Sequence, residues 1–175
     1  MVVDPALAPV TETSFGIEYS VHECPRRHRE YVEAVFPGVD LDGLLIIPTC
    51  QHSEVDLVQR GERVENEKDR LLERFMEFAK HVCRTLETSG YWADYIDPCS
   101  GLPMIHRDTG SVYGEVEALC TLLRYKTQNA GCCKIILHPK WGSSVYPASM
   151  FAKAPLEVVH AAMKAAEKEL AEVLN

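Results

Sequence analysis

No stretch of this 175-residue chain approaches the ~20 consecutive apolar residues that a helix needs to cross a bilayer, which excludes a helical membrane span. No Lys or Arg precedes Arg26, so the start has neither the positive n-region of a secretory signal nor the Arg-rich character of a mitochondrial presequence. The expected location is therefore cytoplasmic. Positive charge is also scarce overall, because 26 acids against 18 Lys and Arg leave a formal net charge of −8. Such a balance disfavours nucleic-acid partners, which need a basic field. The familiar catalytic signatures are missing too: there is no Walker loop, no G-x-G-x-x-G, no G-x-S-x-G and no H-E-x-x-H. No two cysteines stand at C-x-x-C spacing, which removes a zinc ribbon and a thioredoxin-type redox site.

Seven cysteines are nevertheless present, at 24, 50, 83, 99, 120, 132 and 133. An odd number cannot pair completely, and in a reducing compartment most stay free thiols. Cys83 and Cys120 lie in apolar context, where a cysteine behaves as a small hydrophobe. Cys24, Cys50 and Cys99 fall at element ends or turns.

Residues 1–13 have no periodicity and read as a disordered tail, leaving 14–175 as a single domain. Alternation over Phe15–Val21 predicts a strand, and Pro25 opens a helix that Pro37-Gly38 ends. Leu44–Ile47 reads as a buried strand, and Gln51–Gly61 as mostly loop. Apolar residues from Leu71 to Leu86 recur at helical spacing, predicting a long helix over about Val64–Ser89 with Gly90 as its stop. Its charged residues are a solvated face. Further strands are expected at Tyr91–Ile96, Leu102–Ile105, Thr121–Thr127, Cys132–His138 and Ser143–Phe151, with a final helix over Leu156–Leu174. The order suggests an α+β fold, a mainly antiparallel sheet packed by helices.

The chemistry-bearing candidate is the Cys132–Cys133 doublet. In an extended strand neighbouring side chains point to opposite faces, so only one sulfur can face the core. Cys133 shares its face with Ile135 and Leu137, which suits burial. Cys132 shares its face with Lys134, Ile136 and His138, and nearby cations favour a thiolate, so Cys132 is the expected nucleophile or metal ligand. Gly131 beside it allows another molecule a close approach. The alternative, that both sulfurs only pack, stays open on these grounds. Cys24-Pro-Arg-Arg-His-Arg29 is a basic helix start best read as solvated. Asp94, His106 and His138 lack partners at catalytic or metal spacing.

Two blocks, Gly90-Tyr-Trp-Ala-Asp-Tyr-Ile-Asp-Pro-Cys-Ser-Gly-Leu102 and Gly131-Cys-Cys-Lys-Ile-Ile-Leu-His-Pro-Lys-Trp-Gly142, closely resemble the cobalamin-trafficking CblD family. The likeness runs more weakly through Cys24-Pro25, Phe36-Pro37 and the long helix, over roughly residues 14–155. The resemblance implies a nitroreductase-like fold that has lost its flavin. It implies a non-enzymatic adaptor that binds no cofactor alone, docks onto the cobalamin-processing protein CblC and shares that partner's cobalamin. Delivery would be to methionine synthase or to the mitochondrial pathway. The first cysteine of the Gly-Cys-Cys run, here Cys132, would be a thiolate ligand to the partner-held cobalt, with Gly131, Lys134, His138 and Trp141 in support. A soft thiolate suits an axial position on a transition metal. The final helix is longer than the family would suggest. Longer members carry an N-terminal extension of mitochondrial targeting character that this sequence lacks, so the expected role is in the methionine-synthase branch unless the chain is a shortened piece. The competing expectation is an enzyme, a nitroreductase-like flavoprotein or a thiol reductase using Cys132. Sheet edges and the final helix could each mediate a homodimer.

Overall fold

The computed structural model describes residues 8–108 and 111–174. Its main sheet is antiparallel throughout and is built from β1 (Thr11–Glu12), β2 (Ile17–Tyr19), β3 (His22–Glu23), β4 (Leu45–His52), β5 (Trp92–Tyr95) and β8 (Val145–Lys153). The spatial order is β1-β2-β4-β8-β5, with β3 continuing beside β2 along the same edge of β4. A separate two-stranded ribbon joins β6 (Lys126–Ala130) to β7 (Cys133–Leu137). The helices are α1 (Arg29–Val35), α2 (Glu62–Thr88), α3 (Glu115–Leu123) and α4 (Leu156–Leu174).

Alternation along the strands sorts the core into two layers. Ile17, Tyr19, Ile47, Ala148 and Met150 face α2 and α4, meeting Phe75, Phe78, Val82, Met163 and Ala166. Ile46 and Phe151 point the other way, onto Val32 and Val35 of α1 and Ala118 and Leu122 of α3. Each fully buried large apolar side chain contributes roughly 1.5–3 kcal/mol, so the paired faces of α2 and the sheet dominate cohesion. Pro48 sits inside central β4, where a missing N–H would ordinarily break the ladder. Its carbonyl accepts from Ser20 at 3.4 Å, so its nitrogen faces that same edge, at the break between β2 and β3 where no donor is required.

The α+β class and the antiparallel sheet match the sequence reading, and α2, β5, β8 and α4 fall close to their expected bounds. Three corrections follow. Thr11–Glu12 pairs with Tyr19 and Glu18, so order begins inside the stretch read as a tail, while residues 1–7 lie outside the described residues. The expected strand Thr121–Thr127 begins as helix, because Val116, Leu119, Cys120 and Leu123 form a helical apolar stripe that packs under the ribbon. Gln51 and His52 extend β4 beyond its apolar run, since they pair with Tyr146 and Val145.

A candidate thiol site at the hairpin tip

The ribbon pairs Ala130 with Cys133, Gln128 with Ile135 and Lys126 with Leu137, which leaves Gly131 and Cys132 as a two-residue turn. Gly131 has φ +64°, and a hairpin turn with only its first position left-handed calls for glycine there. Nothing lies within 4 Å of where a Gly131 side chain would begin, so the backbone angle rather than crowding demands the residue. Cys132 follows at the apex, and both Cys132 and Cys133 are exposed.

This corrects the facing of the doublet. Cys132 is a turn residue, outside the strand whose alternation was used to place it. Along β7 the buried positions are Ile136 and, just past its end, His138, each 5% exposed, whereas Ile135 and Leu137 are half-buried and Cys133 is open. The physical reason is α3, which packs against the Ile136 face through Leu119, with Cys50 and Val145 from the main sheet beneath. The doublet projects beyond that support, so neither sulfur is interior.

Lys134 shares the Ile136 face and lies close enough to Cys120 to oppose, in part, the burial and the Glu117 charge that push that thiol's pKa up. His138 is elsewhere. Six residues of extended chain span roughly 20 Å, which puts its ring at the base of the ribbon and out of reach of Cys132. There the imidazole Nε2 donates to Glu18 Oε1 at 2.8 Å, and Nδ1 accepts from the backbone N–H groups of Lys140 and Trp141 at 3.1 and 3.3 Å. Two donors aimed at Nδ1 fix the tautomer with its proton on Nε2. Trp141 stacks on His138 with ring centres 3.9 Å apart and on His52 at 5.0 Å, while Tyr125 meets His138 edge-on. His138 and Gly142 exchange paired backbone bonds of 2.9 Å, closing the turn. Of the expected supporting residues, the structure therefore sets Gly131 beside Cys132 and Lys134 two positions on, but places His138 and Trp141 in a clasp that pins the ribbon to β2.

Glu18, the partner in that clasp, escaped the sequence reading because alternation in Ile17-Glu18-Tyr19 sends it away from the main core. That opposite face is itself covered, by the ribbon, so all three residues are buried. Burial and the Glu18 charge push the pKa of its cross-strand neighbour Cys50 well up, which makes that thiol inert. Burial likewise raises Tyr125.

The other block that resembles the family ties up both of its carboxylates, and its exposed Cys99 thiol has a pKa pushed up by burial and the Asp97 charge. Asp94 is wholly buried and accepts from the backbone N–H groups of Tyr95, Ile105 and His106 and from His106 Nδ1, at 2.8–3.0 Å. His106 in turn stacks on Trp92, with centres 4.9 Å apart. Asp97 closes its own turn through Cys99 N–H and the Ser100 hydroxyl. The basic start of the first helix is only partly solvated: His28 is buried, with Nε2 bonded to Tyr113 Oη at 2.9 Å. Among the described residues, no three His, Cys, Asp or Glu side chains converge as a metal site.

The family model described as methylmalonic aciduria and homocystinuria type D protein matches residues 8–165. Cobalamin trafficking protein CblD of Rattus norvegicus is 37% identical over 141 residues, covering 81% of this chain and 48% of its own. The Homo sapiens protein of the same name is 36% identical over 141 residues, with the same coverage. That of Gallus gallus is 34% identical over 138 residues, 79% of this chain and 47% of its own. The chain thus spans about half the length of the curated relatives it matches.

Proposed function

From membership of the methylmalonic aciduria and homocystinuria type D protein family, to which this chain belongs, we propose that it is a non-enzymatic adaptor in cobalamin trafficking. In this reading it docks on a CblC-like protein and offers the Cys132 thiolate to the cobalt of the cobalamin held there, directing the cofactor toward methionine synthase. One observation carries it: Cys132 stands exposed at the apex of a turn, with Gly131 contributing no side chain beside it. A soft sulfur donor on a projecting tip can reach a metal enclosed by another protein, which a cysteine on a flat surface cannot. Thiolate ligation would shield the cobalt from water and alter its redox behaviour, as axial ligands do in haem. The antiparallel sheet with helices on both faces is compatible with descent from a nitroreductase-like fold, and a cytoplasmic setting suits the free thiols.

Mixing the protein with a cobalamin-loaded CblC-like partner and recording the visible spectrum tests the reading. A cobalt–thiolate band is expected with wild type and with Cys133→Ser, and its loss with Cys132→Ser. A band that survives Cys132→Ser ends the ligand assignment.

A further inference from the structure

Charge is distributed unevenly along this acidic chain. All 26 acids lie outside residues 118–156, a stretch that holds Arg124, Lys126, Lys134, Lys140 and Lys153. The β6–β7 ribbon lies wholly inside this acid-free stretch, and among the described residues Lys126, Lys134 and Lys140 form no ion pair. A basic arm on an acidic body is uncompensated charge, useful where a partner supplies the opposite sign.

The ribbon is also two-faced. Its inner face buries Ile136 on α3 and the main sheet. Its outer face carries Ala130, Cys133, Ile135 and Leu137, with Gln128 and Lys126 across the ladder. Ile135 and Leu137 are half-buried and belong to none of the three apolar clusters. An apolar strip therefore runs from the Cys132 turn down the ribbon, with Lys126 at its base and exposed Lys134 on the reverse face near the tip, apolar contact area with positive charge beside it.

We propose that the outer face of the β6–β7 ribbon is the docking arm of this protein, seated against an acidic-rimmed mouth of the partner that encloses the corrinoid. The proposal rests on the reading of Cys132 given above, and extends it from one atom to a surface. Lys126 and Lys134 steer the arm toward acidic groups, Ile135 and Leu137 are buried on arrival, and the geometry then delivers Cys132 to the cobalt.

Calorimetric titration of the full chain into a cobalamin-loaded CblC-like partner, at about 50 mM and about 300 mM NaCl, separates the two ideas. Wild type should bind more weakly at the higher salt. The double variant Lys126→Glu/Lys134→Glu should lose about tenfold or more in affinity at low salt and most of the salt dependence. Ile135→Ser/Leu137→Ser should lose a similar factor while keeping the salt dependence, and Lys164→Glu, at an exposed position of α4, should bind as wild type. Both double variants retain Cys132, so at saturating partner they should still develop the cobalt–thiolate band. Cys132→Ser should lose the band. Wild-type affinity in both double variants overturns the docking arm and leaves the thiolate reading intact. Weakened binding by them without a band in wild type overturns the thiolate reading and leaves the arm. Absence of any complex overturns both.

Discussion

The two family-like blocks, Gly90–Leu102 and Gly131–Gly142, differ in where their polar groups point. In the first, both carboxylates are taken up by donors close by in the chain. Asp94 is buried beneath three backbone donors and His106, and Asp97 ties its own turn. In the second, polar groups are divided along its length. The base is closed by the Glu18–His138 bond and the Trp141 stack, whereas the tip presents two open sulfurs and a lysine. Similar specificity of sequence thus arises from different demands. The first block spends its carboxylates on architecture and leaves only the Cys99 thiol open, and the second holds an exposed tip on a rigid foot.

The strongest way to break this contrast is Asp94→Ala. It leaves three N–H groups and an imidazole without their acceptor in a site closed to water, at a cost of about 3–5 kcal/mol. Urea unfolding should show that loss, while Cys132→Ser, at an exposed position, should stay within about 0.5 kcal/mol of wild type. Any fraction of Asp94→Ala that remains folded at low temperature should still develop the cobalt–thiolate band. A variant that folds normally but cannot produce it would place Asp94 in the functional site.

The foot of the second block should give an intermediate result. His138→Ala removes the partner of buried Glu18 and of two backbone N–H groups, a loss of about 2–3 kcal/mol. His138→Gln keeps one donor and one acceptor and should recover part of it. If the clasp positions the tip, partner affinity should fall with His138→Ala and return in step with stability in His138→Gln. Hydrogen exchange offers the decisive readout: the β6–β7 amides should lose protection well before those of β4 and β8. Equal loss across both sheets would mean that His138 serves the general core alone.

Much of this fold is written locally. The stripe of α2 and the Ala-rich α4 announce themselves by period, because each buries one continuous face, while β5 and β8 stand out as short apolar and aromatic runs covered on both faces. The region 115–142 does not. Helix α3 is short and half of its stripe serves the ribbon, so the run Thr121–Thr127 mimics a strand, and Arg124 ends the helix in a left-handed conformation without a glycine to signal it. Alternation would part the two sulfurs only if Cys132 belonged to the strand, which begins one residue later at Cys133. Cys132 keeps its standing because it is exposed at an apex. The cations near it are fewer than the sequence implied, since His138 is committed to Glu18. No local pattern could have revealed that bond, which joins residues 120 positions apart.

A second buried carboxyl sharpens the contrast between satisfied and unsatisfied groups. Glu115 opens α3, the helix that carries the ribbon, and accepts from the Ser149 hydroxyl at 2.6 Å through one oxygen. Its other oxygen, Oε1, is closed to solvent and has no partner, in contrast to Asp94, whose two oxygens are both bonded. Burial raises the Glu115 pKa from the ordinary 4.5 to about 7, with the Ser149 bond opposing it. Between pH 4.5 and about 7 the unfolded chain releases this proton and the folded chain keeps it, so folding weakens as pH rises through that window and levels off above it. Because Glu115 as a whole is only half-buried, solvent screening limits the effect, and a loss of about 1–2 kcal/mol is expected. Glu115→Gln preserves an acceptor for Ser149 and cannot ionise, so its stability should be flatter than wild type from pH 5 to pH 8 and higher at the alkaline end. Denaturant midpoints measured across that range decide it: parallel profiles for the two proteins would show that Oε1 reaches water or a donor, and that the support of the ribbon is as fully satisfied as the Asp94 block.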